Sequence, residues 1–361
     1  MNVSLFGLCL GVVFVLTQSV FADTALYPQL RSFDDKREAQ IESEMEAQLY
    51  PWFRAHESLF FEGTPRIDGA KVNLRSKAFV RPDGKANVVV LHGYDEEMEK
   101  YIELVYDLFR SGYNVFLMDL RGFGFSTRIA PDSKLIDIDQ FDAYSKDLEL
   151  FITQTIEKKA PEKPLLVFGH STGAAVAVRF SQLYPKRAAG FVLSSPLFDM
   201  PTLIFSNEFA HRIFGFFTAM GFGSWPVPGQ KKDSSYWDFH KSDNSSYPRW
   251  KAFYQLMEKP EMNFEELQGP SIHFVTEVTR ALVDLKQLDV RKTLQAPYLV
   301  FQGGKDVWVR LPEQEKFCRE VASCEFVRID AAKHAIYYEA DSIRVPYLKK
   351  ILSYFEQVLA R

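Results

Sequence analysis

The chain has 361 residues, 47% hydrophobic and 25% charged, which is the make-up of a folded domain and not of a disordered or rod-like chain. Its 43 basic and 47 acidic side chains leave a formal net charge of -4, and no Lys/Arg-rich run could neutralise a row of phosphates, so no nucleic-acid partner is expected. Phenylalanine accounts for 32 residues, so much aromatic surface must be buried in a core, a pocket or an interface.

Residues 1–22 carry no charged side chain: an apolar run Val3–Leu16 is followed by Thr17-Gln18-Ser19 and then Val20-Phe21-Ala22 before Asp23. This is the pattern of a secretory signal peptide with cleavage near Ala22, and its apolar run is shorter than the roughly 18–20 residues of a spanning helix. An uncleaved anchor is the alternative, because no Lys or Arg stands close to Met1. The expected location is therefore exported, periplasmic or secreted, with membrane association left open.

Next comes a charged segment, Ser32–Gln48, where Ile41, Met45 and the adjoining Leu49 fall four apart and predict an amphipathic helix outside the main sheet. Strands are predicted at Phe60-Phe61, Val72–Val80 and Asn87–Leu91, the last two separated by the turn Arg81-Pro82-Asp83-Gly84. From there strand and helix alternate. Strands are expected at Asn114–Met118, Leu165–Phe168, Gly190–Leu193, Tyr298–Phe301 and Glu325–Ile329. Helices are expected at Glu97–Ser111, Gln140–Lys158, Ala174–Tyr184, Glu313–Val321 and Ser342–Ala360. Such alternation predicts an α/β fold, a mostly parallel twisted sheet with helices on both faces and a site at the carboxyl ends of the strands. The alternation breaks between Pro196 and Ala296, in a stretch rich in Phe, Trp and Tyr. The domain layout expected is a signal peptide 1–22, an N-terminal amphipathic extension 23–57, a core from 58–196 and 297–361, and a cap inserted at 197–296.

Leu165–Ala174 reads as a buried strand, the turn Gly169-His170-Ser171-Thr172-Gly173 and the start of a helix. That is a nucleophile elbow, a turn too tight for side chains at its glycines, which thrusts Ser171 outward. A serine needs a base, and the base needs an acid to hold it. Of the four histidines after Ser171, only His334 follows a late strand, and Asp306 sits on the loop after the strand before it. Asp330, four residues before His334, is the competing acid. The oxyanion donors expected are the backbone N–H groups of Thr172, next after the nucleophile, and of Tyr94, after the strand Val88–Leu91 and His92-Gly93. His92 then has a structural role. No metal or organic cofactor is called for.

His92-Gly93 with Glu96, Lys100 and Tyr101, then Asp119–Ser126, Gly169–Gly173, Gln302–Asp306 and His334, resemble the bacterial lysophospholipases and monoacylglycerol lipases of the α/β-hydrolase superfamily. The resemblance runs from about Phe60 to Phe355, with gaps in the cap. It implies a serine hydrolase that cleaves a fatty-acyl ester of lysophospholipids or monoacylglycerols, and it makes Asp119–Ser126 a structural turn. The rivals are a carboxylesterase, thioesterase or acyltransferase on other acyl substrates, and a silent lipid-binding scaffold.

Within the cap, Phe205, Phe209, Ile213, Phe216, Phe217 and Met220 recur every three or four residues. Phe205, Phe209 and Ile213 are the expected substrate-binding residues, on the reading that this stripe lines an acyl pocket. A peripheral membrane contact and plain packing onto the sheet are the alternatives. Of three cysteines, Cys318 and Cys324 lie beyond the leader, and the sequence leaves both a disulfide and two separate thiols open.

Overall fold

A computed structural model describes residues 37–201, 205–229, 238–262 and 267–361. The expected signal peptide and the first part of the extension lie outside the described residues. The chain enters with a helix, α1, that runs through Glu38–Gln40, Ile41–Glu44, a π turn Met45–Leu49 and Tyr50–Ala55. Ile41, Met45 and Leu49 are all buried, as their spacing of four requires, and Trp52 stacks on Phe79 at 4.8 Å.

Among the described residues ten strands follow: β1 Leu59–Glu62, β2 Asn73–Phe79, β3 Asn87–Leu91, β4 Asn114–Met118, β5 Leu135–Ile136, β6 Leu165–His170, β7 Gly190–Ser194, β8 Gly269–Pro270, β9 Tyr298–Gly303 and β10 Cys324–Ile329. Eight of them make one sheet in the order β1-β2-β4-β3-β6-β7-β9-β10, while β5 and β8 form a two-stranded pair. The contacts β1/β2 and β2/β4 are antiparallel and the rest of the large sheet is parallel. The helices are α2 Ile102–Arg110, α3 Asp142–Phe151, α4 Thr172–Leu183, α5 Asn207–Phe217, α6 Tyr247–Met257, α7 Ile272–Leu285, α8 Leu288–Thr293, α9 Pro312–Glu320 and α10 Asp341–Leu359.

Every residue of β3 is buried, and its alternate side chains feed two different cores: Val88 and Val90 belong to the one that includes α1, α2 and α10, whereas Val89 and Leu91 belong to the one that includes α3, α4 and α9. A strand covered on both faces has no polar side to alternate, which is why β3, β4 and β6 read as continuous apolar runs. Each fully buried Val, Leu or Phe contributes about 1.5–3 kcal/mol of transfer free energy.

Between β7 and its sheet neighbour β9 the chain makes a long excursion through α5, α6, β8, α7 and α8. Its α6 arm is fixed to the body by a buried ionic cluster. Arg249 donates to both carboxylate oxygens of Glu103 on α2 (2.8 and 3.0 Å) and to Asp341 on α10 (2.6 Å). Arg37, at the entrance to α1, and Arg344, on α10, donate to Asp107 at 2.9 and 2.7 Å. Cys318, on α9, and Cys324, opening β10, form a disulfide across six positions.

Candidate active site

Strand β6 ends at His170 and helix α4 begins at Thr172, so Ser171 is the entire connection, with φ 51° and ψ -115°. That left-handed backbone is costly for a residue with a side chain and is tolerated because both flanks are anchored. A Cβ on Gly173 would lie 2.5 Å from the carbonyl oxygens of Leu91 and His92, and one on Gly169 would lie 2.6 Å from the carbonyl of Gly173. Only glycine permits this approach of α4 to β3.

Opposite Ser171, the loop after β9 carries Asp306 and the loop after β10 carries His334. The His334 Nδ1 and the Asp306 Oδ2 are 2.6 Å apart, and the other carboxylate oxygen accepts the Trp308 N–H at 2.8 Å. With Nδ1 engaged by the carboxylate, the free ring nitrogen is Nε2, the atom that a general base needs. Ser195 Oγ donates to the His334 carbonyl at 2.7 Å and so fixes the loop behind the imidazole. Asp330, the competing acid of the sequence reading, is an exposed residue paired with Arg328 at 2.6 Å and does not meet His334. Ser171 and His334, with Gly93, Tyr94 and Thr172, line one cavity of about 370 Å³, within the range of small-molecule sites. The structure thus brings together the expected nucleophile, base, acid and both expected oxyanion loops.

His92 is placed by its backbone neighbours: its Nε2 accepts the Leu120 N–H at 2.8 Å, so its Nδ1 is protonated and donates to the Gly93 carbonyl at 2.7 Å. Both nitrogens are spent, in keeping with a structural role. Asp119 is likewise occupied, accepting from Arg75 at 2.6 Å, Met98 N–H at 3.0 Å and Phe125 N–H at 2.9 Å.

The cavity walls differ from the sequence expectation. Phe205, Phe209 and Ile213 do not line it; they are 42%, 45% and 41% exposed, Phe205 just before α5 and the other two on its outer side. The three- and four-residue spacing shows that they share a face but carries no information about what that face meets. Helix α5 turns Asn207, Ala210 and His211 inward instead, while its charged Glu208 and Arg212 are exposed. Asn207 is fully buried and exchanges hydrogen bonds with both backbone groups of Met200, and His211 meets the Thr276 carbonyl on α7. The cavity is walled by Leu197, Met200, Trp250, Phe253, Tyr254, Phe274, Trp308 and Val309. The aromatic residues of α6 were invisible as a wall because nothing local in the sequence shows which side of the excursion between β7 and β9 the cavity occupies.

A charged group on the cavity wall was also unassigned. Glu96 accepts from Lys100 Nζ (2.7 Å), Tyr101 Oη (2.5 Å), Gly93 N–H (2.7 Å) and Tyr337 Oη (3.2 Å). Burial alone would raise its carboxyl, but Lys100 and the other donors hold it well below the usual carboxylate range. Burial pushes the neighbouring His170 imidazole down to about 4 against the opposing pull of Glu96. The spacing Glu96, Lys100, Tyr101 after His92-Gly93 was the available signal. Among the described residues no group of His, Cys, Asp and Glu is arranged to hold a metal ion.

A family model described as serine aminopeptidase, S33, matches residues 82–341. The chain belongs to this family of α/β hydrolases. The hydrolase is 27% identical over 325 residues to lysophospholipase L2 of Escherichia coli (strain K12), covering 86% of this chain and 90% of that protein. It is 26% identical over 311 residues to a probable lysophospholipase L2 of Haemophilus influenzae, covering 84% and 94%. Among solved structures, a soluble variant of monoglyceride lipase from Saccharomyces cerevisiae in complex with a substrate analog superposes with a TM-score of 0.65 at 18% identity, covering 84% of the hydrolase and 94% of that chain. A thermostable carboxyl esterase from Bacillus coagulans also gives 0.65, at 16% identity over 84% of the hydrolase and 99% of that chain. These two structures speak for the fold alone, since one fold hosts many substrates.

Proposed function

We propose that this hydrolase cleaves the single fatty-acyl ester of a lysophospholipid or monoacylglycerol through an acyl-Ser171 intermediate. The observation that carries the reading is that the strained Ser171 elbow and His334, which is held from behind by Asp306, line one largely apolar cavity. The names of the relatives support the substrate class. In acylation His334 Nε2 takes the Ser171 hydroxyl proton as Oγ attacks the ester carbon. The oxyanion forms against the N–H groups of Tyr94 and Thr172, and the leaving alcohol departs with the proton from His334. A water activated by the same imidazole then releases the fatty acid and restores Ser171. Asp306 steers the imidazole and stabilises its cationic form throughout.

The outward stripe of α5 suits contact with the lipid phase that holds such substrates. Phe216, Met220 and Trp225 are about 60% exposed, and a large apolar patch on a soluble body marks an interaction surface. Export is supported by the apolar N-terminal segment and by the Cys318–Cys324 disulfide.

The deciding experiment measures fatty-acid release from lysophosphatidylcholine, lysophosphatidylethanolamine, monoolein and a short-chain ester. Release from either lipid class at a kcat/KM well above the short ester is expected. Turnover of short esters only would move the function to a general carboxylesterase.

A further inference from the structure

The oxyanion donor on Tyr94 is a backbone N–H and is only as well placed as the peptide that carries it. That peptide joins Gly93 to Tyr94. His92 Nδ1 holds its carbonyl at 2.7 Å, and Glu96 holds the Gly93 N–H at 2.7 Å. Glu96 is in turn gripped by Lys100 at 2.7 Å, and Lys100 is shared with a second carboxylate, Asp243, at 2.5 Å. Asp243 is not part of the sheet or its helices. It lies in the excursion between β7 and β9, just before α6, and its backbone carbonyl accepts the Ala335 N–H at 2.9 Å, one residue past His334. One residue of the cap therefore reaches the oxyanion loop through its side chain, by way of Lys100 and Glu96, and grips the histidine loop through its main chain. Lys333 Nζ reinforces the second grip by donating to the carbonyls of Ser242 and Asn244 at 3.0 and 3.2 Å.

We propose that Asp243 is a positioning residue, which sets the Tyr94 oxyanion donor through Lys100 and Glu96 and so couples the seating of the cap to the acyl-transfer step. Lys100 is buried to 12% exposure, so both of its carboxylate partners act with little competition from solvent. With Asp243 present, Lys100 is drawn between two anions and cannot follow Glu96 alone. Without that charge Lys100 keeps only Glu96 and moves with it, and the Gly93 peptide loses its fixed reference. The inference rests on the acyl-serine reading.

Asp243 also lines the cavity, so the test must separate positioning from contact with the substrate's alcohol portion. Deacylation does this, because the alcohol has already left the acyl-enzyme while the second tetrahedral intermediate uses the same oxyanion donors. Asp243→Asn and Asp243→Glu are prepared in the full chain, and pre-steady-state burst kinetics with a p-nitrophenyl acyl ester give acylation and deacylation rates separately. Removing a donor altogether costs about 10²- to 10³-fold, and its displacement is expected to cost about tenfold. The proposal requires Asp243→Asn to slow both steps by the same factor, with KM little changed and Asp243→Glu restoring most of the loss. Slowing of acylation alone assigns Asp243 to substrate contact and overturns the proposal, as does no change in either step. If the Asn variant does not fold, Lys100→Arg replaces it, since the fork keeps the charge but moves the donors; unequal or absent effects on the two steps again overturn it. A wild-type protein that forms no acyl-Ser171 would defeat the underlying reading, whereas a normal wild-type burst with unequal variant factors defeats only this inference.

Discussion

His170 is a sharp probe of how this site withstands acid. Its ring is 1% exposed, lies 4.7 Å from the His334 ring and 5.1 Å from that of Tyr337, and has Nδ1 3.2 Å from the Ser194 carbonyl. Burial lowers its folded pKa to about 4, whereas an unfolded histidine titrates near 6.5. The unfolded chain therefore binds the proton first, and folded stability falls as pH drops through the window from about 6.5 to 4. A shift of that size corresponds to roughly 3 kcal/mol in full, of which about 2.5 kcal/mol is lost by pH 4.5. His170→Gln keeps a polar group of similar length and removes the titration. Urea unfolding of both proteins at pH 7 and pH 4.5 isolates the difference, because all other groups titrate in both. The acid loss of the Gln variant should be smaller than that of wild type by about 2 kcal/mol or more. Equal acid losses would refute the claim that His170 is buried in its neutral form.

Three further outcomes follow from the geometry. Asp306→Asn leaves the Trp308 N–H an acceptor but favours the wrong His334 tautomer, so kcat should fall by about 10⁴-fold with KM nearly unchanged in steady-state kinetics. Gly173→Ala forces a methyl to within 2.5 Å of two β3-end carbonyls; displacement of α4 should cost at least about 1–3 kcal/mol in unfolding measurements and most of the activity. Cys318→Ser opens a six-residue link; chain entropy predicts a loss of about 2 kcal/mol, read as a difference in urea stability that vanishes when both proteins are compared under reducing conditions.

Much of the fold was legible because its strands are buried on both faces and end in recognisable turns. The β6-Ser171-α4 junction could be read from ten residues, since only a glycine-flanked serine fits so tight a turn. His334 and Asp306 were legible from their order relative to β9 and β10, which fixes their place on the sheet edge. The cap was not. Its α5 helix has a regular apolar stripe, yet the stripe faces outward and Asn207 and His211 face in, because hydrogen bonds to Met200 and Thr276 decide that packing. Asp243 was silent for a related reason: it acquires meaning only from Lys100, which is 143 positions away. Local patterns report elements and turns; the cavity wall is assembled from long-range pairs.

Whether Ser171 is the acylated nucleophile is decided by a fluorophosphonate reaction with the purified protein, followed by peptide mass spectrometry of the adduct. A single phosphonyl adduct is expected on Ser171, absent from a folded Ser171→Ala variant that also no longer releases fatty acid from lysophospholipid or monoolein. An adduct on another residue, or undiminished fatty-acid release by the Ala variant, would contradict that role for Ser171.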